Sequence, residues 1–442
     1  MSDPLLVELH KRTFRFFWET TNAANGLARD RFPSPSPSSI AAVGFALTAY
    51  PIGIERGYVS RQEARSRVLT TLQFPHGAPQ GAAARGMSGY RGFFYHFLNM
   101  RDGERDGRCE LSTVDTALLL AGVLFCQSYF DGDHPGEEKI RSLAEAIYGR
   151  VDWQWAQAHA PAISHGWLPE TGFLPYDWKG YNEAMIVYLL ALGSPTYPVE
   201  ASAWDAWTSS YDQYWSSRFG EPHLAFAPLF GHVFSHVWVD FRAIRDAYMD
   251  GRGIDYFENS RRAVHAQRDY AVANPDGWKD YGANVWGWTA VDGPADIEYE
   301  VAGKLRAFRR YAARGAAGAE AYDDGTLAPS AAVSAIAFAP EIAKPAIEEL
   351  HRRYGEHIFS RYGFVDALNP SFDCDVPLAL GHCVPGLGWV DTDYLGIDQG
   401  PILAMLENYQ SELVWGTMRK NAHLRRGLTR AGFSGGWLAD AA

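Results

Sequence analysis

The sequence is poor in cysteine, with four residues in 442. A disulfide framework needs a denser set, so the four cysteines are expected to be reduced thiols. The N-terminal segment 1–20 interrupts its apolar residues with charged ones, and it lacks the continuous apolar core of a secretion signal. Together these features predict a cytoplasmic protein.

Long apolar runs and basic clusters are also missing. No apolar run reaches the roughly 18–20 residues of a membrane-spanning helix, so a membrane partner is not expected. No run of Lys and Arg offsets the net charge of -12, which would repel the phosphates of a nucleic acid. A neutral ligand fits this balance better, and the sequence does not indicate an oligomeric state.

Aromatic residues are abundant, with 15 Trp, 23 Tyr and 24 Phe. Most aromatic side chains in proteins belong to cores. Many of the Trp and Tyr residues here lie in Gly-rich connectors, where a flat ring can stack on a sugar. This composition favours a carbohydrate ligand.

The periodic signal of the chain is helical. Ser60 and Ser112 each stand where a helix N-cap is expected. About a dozen helices with alternately short and long loops fit an α-solenoid or a closed double ring of helices, and the absence of a fixed-period repeat favours the ring. No linker divides the chain, so a single domain, 1–442, is predicted. Apolar spacings of three and four predict helices over 5–20, 39–56, 61–73, 112–130, 136–150, 183–192, 201–216, 239–249, 256–271, 300–312, 330–337, 340–354 and 399–417.

Three carboxylates stand at predicted helix starts. Asp115 in "STVDT" either completes the cap begun by Ser112 or contacts a substrate. Glu183 in "YNEA" is either an ordinary first-turn acid of a helix capped by Asn182 or a catalytic acid in an aromatic pocket. Asp398 in "GIDQG" is either a helix cap or a base.

Two of these carboxylates lie in similar segments. "WKGYNEAMI" (178–186) and "YLGIDQGPI" (394–402) share an aromatic residue, Gly, a large apolar residue, Asn or Asp, and then Glu or Gln. The alignment predicts two corresponding corners of the ring, each with one carboxylate and one carboxamide. Acid and base catalysis on an acetal needs two such carboxyl groups across the scissile bond.

The two carboxyl groups need different pKa values for these roles. A helix N-terminus lowers the pKa of a carboxyl group, which suits Asp398 as an ionised base. Glu183 as the acid needs desolvation, for which Tyr176, Trp178 and Tyr181 are the expected source.

Metal chemistry is not indicated. His232 and His236 share a helical face, but Val233 stands where the H-E-x-x-H motif of zinc hydrolases has Glu. Sugar contacts or buried core histidines are favoured instead. The spacing of Cys374, His382 and Cys383 matches no familiar metal motif, so no cofactor is predicted.

Several motifs occur in an order that identifies a family. They are "SIAAVGFALTAYPIGIERGYVSRQEA", "ELSTVDTALLLAG", "YNEAMIVYLLALGSPT", "VWVDFR", "YFENSRRA", "DDGTLAPSAA", "YGFVDALNP" and "YLGIDQGPILAMLENYQSELVW". Over nearly the whole chain they resemble the glycoamylase-like domain family, which includes bacterial endo-β-1,2-glucanases and β-1,2-glucooligosaccharide hydrolases. The resemblance implies an all-α (α/α)6 barrel with long loops around the active site, and metal-independent, inverting hydrolysis of β-1,2-linked glucose chains.

The resemblance also implies residue roles. Glu183 matches the general acid and Asp398 the general base, with protons relayed through a substrate hydroxyl or water in relatives. Trp288 departs from the Leu expected there, and the segment 364–389 carries a longer loop than expected. These departures leave the chain-length preference open, and the sequence does not decide between endo and exo action. A retaining hydrolase or transglycosylase and a non-catalytic sugar-binding protein remain alternatives. The candidate glucan-binding residues are Asp115, Glu110, Arg29, Asp30, Tyr181, Trp178, His236, Asp240, Arg242, Trp286, Asp292, Tyr362, Asp366, Asn369 and Gln399.

Overall fold

Helices are the main elements of the fold. A computed structural model describes residues 3–301, 303–316, 321–372 and 376–439. A short 3-10 helix, Ala335–Ala337, follows α12. The α-helices of the described residues are α1 Pro4–Thr20, α2 Ile40–Glu55, α3 Arg61–Gly77, α4 Thr113–Tyr129, α5 Pro135–Gly149, α6 Met185–Gly193, α7 Ser202–Thr208, α8 Tyr211–Tyr214, α9 Phe230–Trp238, α10 Ala247–Arg252, α11 Tyr256–Ala273, α12 Pro329–Ser334, α13 Pro340–Ile358, α14 Gly396–Ser411, α15 Leu413–Met418, α16 Ala422–Arg430 and α17 Gly436–Ala439.

The two predicted serine caps are confirmed. The Ser60 hydroxyl accepts the N–H of Glu63, and the Ser60 N–H donates to the Glu63 carboxylate at 2.8 Å, a reciprocal capping box at the start of α3. The Ser112 hydroxyl accepts the N–H of Asp115 at 3.2 Å at the start of α4. Both caps satisfy N–H groups that have no partner within their own helix.

Short strands fill the long connectors, so the predicted all-α class is only partly right. Five strands form the largest sheet, in the order β3-β4-β6-β7-β8. The strands are β1 Arg31–Phe32, β2 Ser38–Ser39, β3 Gly89–Tyr90, β4 Phe93–Tyr95, β5 Phe97–Leu98, β6 Leu111–Ser112, β7 Gly166–Leu168, β8 Gly172–Phe173, β9 Trp215–Ser216, β10 His223–Leu224, β11 Ala290–Asp292, β12 Ile297–Val301, β13 Lys304–Phe308, β14 Tyr311–Ala313, β15 Phe359–Ser360, β16 Gly363–Phe364, β17 Leu368–Asn369, β18 His382–Val384, β19 Gly388–Val390 and β20 Tyr394–Leu395.

Two predicted helices are wrong. The segment predicted as 300–312 is an antiparallel hairpin, in which Ile297 of β12 pairs with Phe308 of β13. Exposure alternates along β12, so the period of two that marks a strand was present in "IEYEV". The segment predicted as 239–249 is mostly a connector, because α9 ends at Trp238 and α10 begins at Ala247.

The core joins the two ends of the chain. Helices α2 and α4 pack closely through Gly44 and Gly122, since a Cβ on either would lie about 2 Å from backbone of the other helix. Helix α1 packs on α14. Buried apolar side chains from Leu6 to Phe433 form one cluster. Across the described residues, every helix is too short or too polar to cross a membrane.

The expectation for the cysteines is wrong at one position. Cys109 and Cys126 are free thiols, but Cys383 is disulfide-bonded. Cys374 lies outside the described residues. The prediction of a cytoplasmic protein therefore loses one of its two arguments, because disulfides persist mainly in oxidising compartments.

Candidate active site

One cavity brings the predicted catalytic carboxyl groups together. It encloses about 180 Å³. Asp115 enters it from α4, Glu183 from the turn before α6, and Asp398 from the first turn of α14. The complete lining is His96, Val114, Asp115, Leu118, Glu183, Phe230, Phe234, Thr289, Ala290, Tyr311, Ile397 and Asp398.

Glu183 lies in a turn that the next helix does not include. Helix α6 begins at Met185 without a side-chain cap, so the prediction that Asn182 caps a helix starting at Glu183 is wrong. The Asn182 carboxamide oxygen instead accepts the N–H of Ala184 at 2.9 Å. Ser235 of α9 holds the turn, since its hydroxyl donates to the Glu183 carbonyl at 3.2 Å.

The environment of Glu183 favours the protonated form of its side chain. Oε2 is buried and has no hydrogen-bond partner among the described residues. Burial, with a smaller contribution from the Asp115 charge, raises the pKa of Glu183 to about 7. The desolvation required for an acid is therefore present. Tyr176 does not supply it, because that side chain is 65% exposed.

Asp398 is a buried first-turn residue of α14 that caps nothing. No side chain caps the N-terminus of this helix, so the alternative that Asp398 is a helix cap is wrong. The Ser330 hydroxyl donates to Asp398 Oδ1 at 3.0 Å. Burial nevertheless raises the pKa of Asp398 to about 7, although hydrogen bonds from Ser330 and Asp366 oppose the rise. The expectation of a lowered pKa is wrong, because desolvation outweighs the helix N-terminus.

A histidine that sequence reasoning missed completes one wall. His96 Nδ1 lies 2.8 Å from Glu110 Oε1, and Nε2 lies 3.7 Å from Asp115 Oδ2. Burial disfavours the imidazolium, but the Asp115 and Glu110 charges outweigh it and raise the pKa of His96 to about 9. A cation therefore lies beside the cavity at neutral pH. His96 sits between two short strands, where no periodic pattern marked it.

A group of acids lies behind Asp398. Arg31, which was also missed, donates from Nη1 to Asp292 Oδ2 at 2.6 Å. The Asp292 N–H donates to Asp366 Oδ2 at 2.8 Å. Burial raises the pKa of Asp391 to about 8 and that of Asp366 well above its usual range. The neutral forms of Asp366 and Asp391 are therefore favoured, because burial and repulsion by neighbouring acids disfavour full ionisation.

Metal-binding geometry is not distinctive at either acidic wall. Oxygen and nitrogen atoms of His96, Glu110 and Asp115 lie within 4.8 Å of one another, as do carboxyl oxygens of Asp292, Asp366 and Asp391. Each set already contains or contacts a protein cation, His96 in the first and Arg31 at Asp292 in the second. The protein's own positive charges therefore account for both arrangements.

Other predicted binding residues lie near this cavity without lining it. Glu110 contacts His96, and Asp30 contacts Arg31 at 3.4 Å. Burial raises the pKa of Asp30. Arg29 is half-buried and bridges to the backbone of Ser38.

A second set of predicted binding residues is engaged in core contacts. His236 bonds the Ser260 hydroxyl, and Asp240 pairs with Arg242. Among the described residues, this set makes up no part of the cavity lining, so its role in binding stays a prediction. Of the remaining members, Trp286 is fully buried and Trp178 stacks on His165. Tyr362 donates to the Glu19 carboxylate. The carboxamides of Asn369 and Gln399 donate to the carbonyls of Asp324 and Phe364, respectively.

A second cavity adjoins the turn that carries Glu183. It encloses about 230 Å³. Tyr181 and Asn182, the two residues before Glu183, line it together with the exposed ring of Tyr214. Ala313, at the end of the strand that carries Tyr311, lines it too. The two cavities therefore share the Glu183 turn and strand β14.

The two cavities and the two carboxyl groups define a class of site. A helix-rich scaffold holds an acid with a raised pKa and a second carboxyl group in one partly apolar cavity, next to exposed aromatic rings. Such a site can donate one proton and accept another on opposite sides of a bound molecule. Paired carboxyl groups of this kind are typical of acid and base catalysis.

The chain belongs to the Glycoamylase family, which is described as "Putative glucoamylase" and matches residues 175–422. The resemblance predicted from the motifs is thereby confirmed. An exo β-1,2-glucooligosaccharide sophorohydrolase of Parabacteroides distasonis is 25% identical over 97% of this chain. The chain spans only 58% of the length of that relative.

Solved structures agree with the family. A "putative glucoamylase" of Bacteroides uniformis has a TM-score of 0.84 and 28% identity, covering 99% of this chain and 98% of the other. An endo-β-1,2-glucanase of Chitinophaga pinensis, in complex with sophorotriose and glucose, has a TM-score of 0.81 and 25% identity over 99% of both chains. The chain therefore has the helix-rich fold of glucoamylase-like proteins.

Proposed function

We propose that the protein is an inverting glycoside hydrolase acting on β-1,2-linked glucans or glucooligosaccharides. The observation that carries the proposal is the cavity in which Glu183 and Asp398 meet, each with a pKa raised to about 7 by burial. The β-1,2 linkage of the proposed substrate is inferred from the relatives, whose names specify β-1,2-glucans and β-1,2-glucooligosaccharides.

The proposed reaction needs one proton transfer at each end of the cavity. Glu183 gives its proton to the glycosidic oxygen as the bond from that oxygen to the anomeric carbon breaks. Asp398 takes a proton from the water whose oxygen forms the new bond on the opposite face. The products are two sugars, an ionised Glu183 and a protonated Asp398, and proton exchange with solvent restores the starting state. A relay through a hydroxyl group or a second water leaves this balance unchanged.

The proposed scaffold is a single (α/α)6 barrel formed by residues 1–442. The contact of α1 with α14 supports it, because a closed ring of helices brings the two ends of the chain together. The single buried apolar cluster supports one domain. The connectors supply five of the twelve residues that line the cavity, and helices supply the other seven, so loops on a helical frame contribute to the site.

The second cavity is proposed to hold the leaving-group side of the substrate. A general acid protonates the leaving oxygen, so the sugar that departs lies next to Glu183. Tyr181 and Asn182 adjoin that residue in the chain, and Tyr214 presents an exposed ring to the same cavity. An aromatic face and a neighbouring carboxamide are suitable contacts for a sugar.

The test is hydrolysis of linear β-1,2-glucan by Glu183→Gln and Asp398→Asn. Each variant is expected to lose about 10²–10⁴-fold in kcat, since each removes one proton-transfer group. Glu348→Gln, at an exposed position of α13, is the control and should match the parent protein. Substantial residual turnover in either variant contradicts the assignment.

Three further readouts separate the alternatives and the mode of action. Proton NMR of the first products shows the α-anomer for inversion and the β-anomer for retention. Binding of sophorooligosaccharides without release of reducing ends, over long incubation, identifies a sugar-binding protein instead. Chromatography of the products over time separates endo from exo action.

A further inference from the structure

Tyr311 lines the cavity of the two carboxyl groups and has no role in the reaction above. We propose that Tyr311 is a specificity-determining residue that binds the glucose unit on the Asp398 side of the scissile bond. The ring stacks on that unit, and the hydroxyl donates a hydrogen bond to it. This inference rests on the proposed function and adds a sugar-binding residue to it.

The side chain of Tyr311 is available to a ligand. Of the twelve residues that line the cavity, it alone is exposed, at 48% of its full surface. Its hydroxyl has no hydrogen-bond partner among the described residues. A phenol hydroxyl can donate one hydrogen bond and accept another, so this group can bind a sugar hydroxyl.

Tyr311 is also the aromatic residue of this cavity whose ring has a free face. The other two aromatic residues of the lining, Phe230 and Phe234, pack on each other with their ring centroids 5.4 Å apart. Phe234 also packs on Phe45 at 5.8 Å. Tyr311 makes no contact with another ring in the described part of the chain. Its ring is therefore the one on which the apolar face of a glucose unit can stack.

The strand that carries Tyr311 is held in place from both sides. In the pairing of β14 with β11, Tyr311 lies opposite Asp292. Arg314, the residue after β14, is buried and donates to the Val291 carbonyl of β11 at 2.6 Å. The same guanidinium makes two hydrogen bonds to the Asp324 carboxylate, at 2.7 and 2.8 Å. A side chain on a strand fixed in this way loses little conformational freedom when a ligand binds.

The position of Tyr311 on β14 indicates which sugar unit it contacts. Side chains two residues apart on a strand point to the same face and lie about 7 Å apart along it. Tyr311 lines the catalytic cavity and Ala313 lines the second cavity, so this face of β14 runs from one cavity to the other. The second cavity is proposed for the leaving group. The sugar at Tyr311 is therefore the unit on the other side of the scissile bond.

The test is hydrolysis of linear β-1,2-glucooligosaccharides of several lengths by Tyr311→Phe and Tyr311→Ala. Tyr311→Phe removes one hydrogen bond and should lower kcat/KM by about 2–10-fold. Tyr311→Ala removes the ring as well and should lower kcat/KM by about 10–100-fold. Each loss should be the same for every chain length, because every productive substrate places a glucose unit at Tyr311.

Tyr197→Ala is the matched control, since Tyr197 is similarly exposed but lines neither cavity. It should match the parent protein. Urea unfolding checks that Tyr311→Ala is folded, and Tyr311→Phe keeps the ring and tests the hydroxyl if that variant is unstable. An unchanged kcat/KM in both Tyr311 variants overturns the inference. A loss confined to longer chains overturns it too, because it places Tyr311 away from the scissile bond.

Calorimetry with sophorotriose gives a readout that does not depend on catalysis. In the Glu183→Gln background, adding Tyr311→Ala should raise Kd by about 10–100-fold. If Kd rises but the parent protein releases no reducing ends, Tyr311 binds the sugar and the proposed hydrolysis is what fails. If the parent protein hydrolyses the substrate and Kd is unchanged, the proposed function stands and this inference fails.

Discussion

Removing the acid should make the folded protein more stable at alkaline pH. Burial raises the pKa of Glu183 from the ordinary value of 4.5 to about 7. Below pH 4.5 the side chain is protonated in both the folded and the unfolded chain. As the pH rises through about 7, the folded protein has to ionise a buried group that the unfolded chain ionised earlier. Stability contributed by the neutral form is therefore present at low pH and lost at high pH.

The size of this loss follows from the two pKa values. Each pKa unit corresponds to about 1.4 kcal/mol, so a rise from 4.5 to about 7 gives an upper limit of about 3 kcal/mol. The side chain is only partly buried and faces a cavity, so we expect about 1–3 kcal/mol. Glu183→Gln keeps the shape without the charge. The quantity to compare is the free energy of unfolding of Glu183→Gln minus that of the parent. This difference should be about 1–3 kcal/mol larger at pH 8 than at pH 4.5.

The assay is urea unfolding of both proteins at a series of pH values, read as the difference between them. Contributions of other titrating groups, such as Asp391, cancel in that difference unless they contact Glu183. Glu348→Gln on exposed α13 should give a difference that does not depend on pH. A flat difference for Glu183→Gln, or a variant that is less stable at pH 8 than at pH 4.5 relative to the parent, refutes the desolvation argument.

Three further predictions concern one buried ion pair and one residue from each cavity lining. Arg314→Met leaves the buried Asp324 carboxylate without its bidentate partner. Urea unfolding should show a free energy of unfolding lower by about 3–5 kcal/mol. A loss below about 1 kcal/mol would contradict this. His96→Gln removes the cation beside Asp115, and loss of that positive charge should raise the pKa of Glu183. The basic limb of the kcat/KM profile, which Glu183 sets, should therefore move to higher pH. An unchanged limb would show that the imidazolium does not act on Glu183. Tyr214→Ala removes one stacked sugar contact, so KM for longer glucooligosaccharides should rise by about 5–100-fold. KM for the shortest substrate should change little. An equal change for all lengths would show that Tyr214 does not contact the leaving-group side of the substrate.

The sequence predicted the features that depend on neighbours in the chain. Ser60 and Glu63 form the expected box because their spacing alone decides that contact. The segment 300–312, which overlaps the hairpin of β12 and β13, was predicted as a helix because its apolar residues also fit spacings of three and four, and only pairing with a partner strand distinguishes the two. His96 and Arg31 could not be found in this way. Their roles arise from acids more than ten residues away in the chain, or hundreds of residues away for Asp292.

The pKa of Asp398 is a second property that the neighbouring sequence did not predict. The local rule, that a helix N-terminus favours an anion, was applied to the right residue and gave the wrong direction. The dipole contributes at most about 2 kcal/mol, whereas burying a charge among other acids costs more. Those acids, Asp292 and Asp30, come from β11 and from the residue just before β1, which only the folded chain brings close to α14.

An apparent difficulty with the acid and base pair is that Glu183 and Asp398 have similar pKa values of about 7. A pair at equal pKa would be in the productive protonation state for only part of the molecules at any pH. The two groups differ in their partners, however. Glu183 Oε2 has no donor among the described residues, whereas Asp398 has the Ser330 hydroxyl and contacts Asp366. Hydrogen bonds stabilise the charged form of Asp398, and no donor among the described residues does so at Glu183 Oε2, so hydrogen bonding rather than the helix end distinguishes two otherwise similar carboxyl groups.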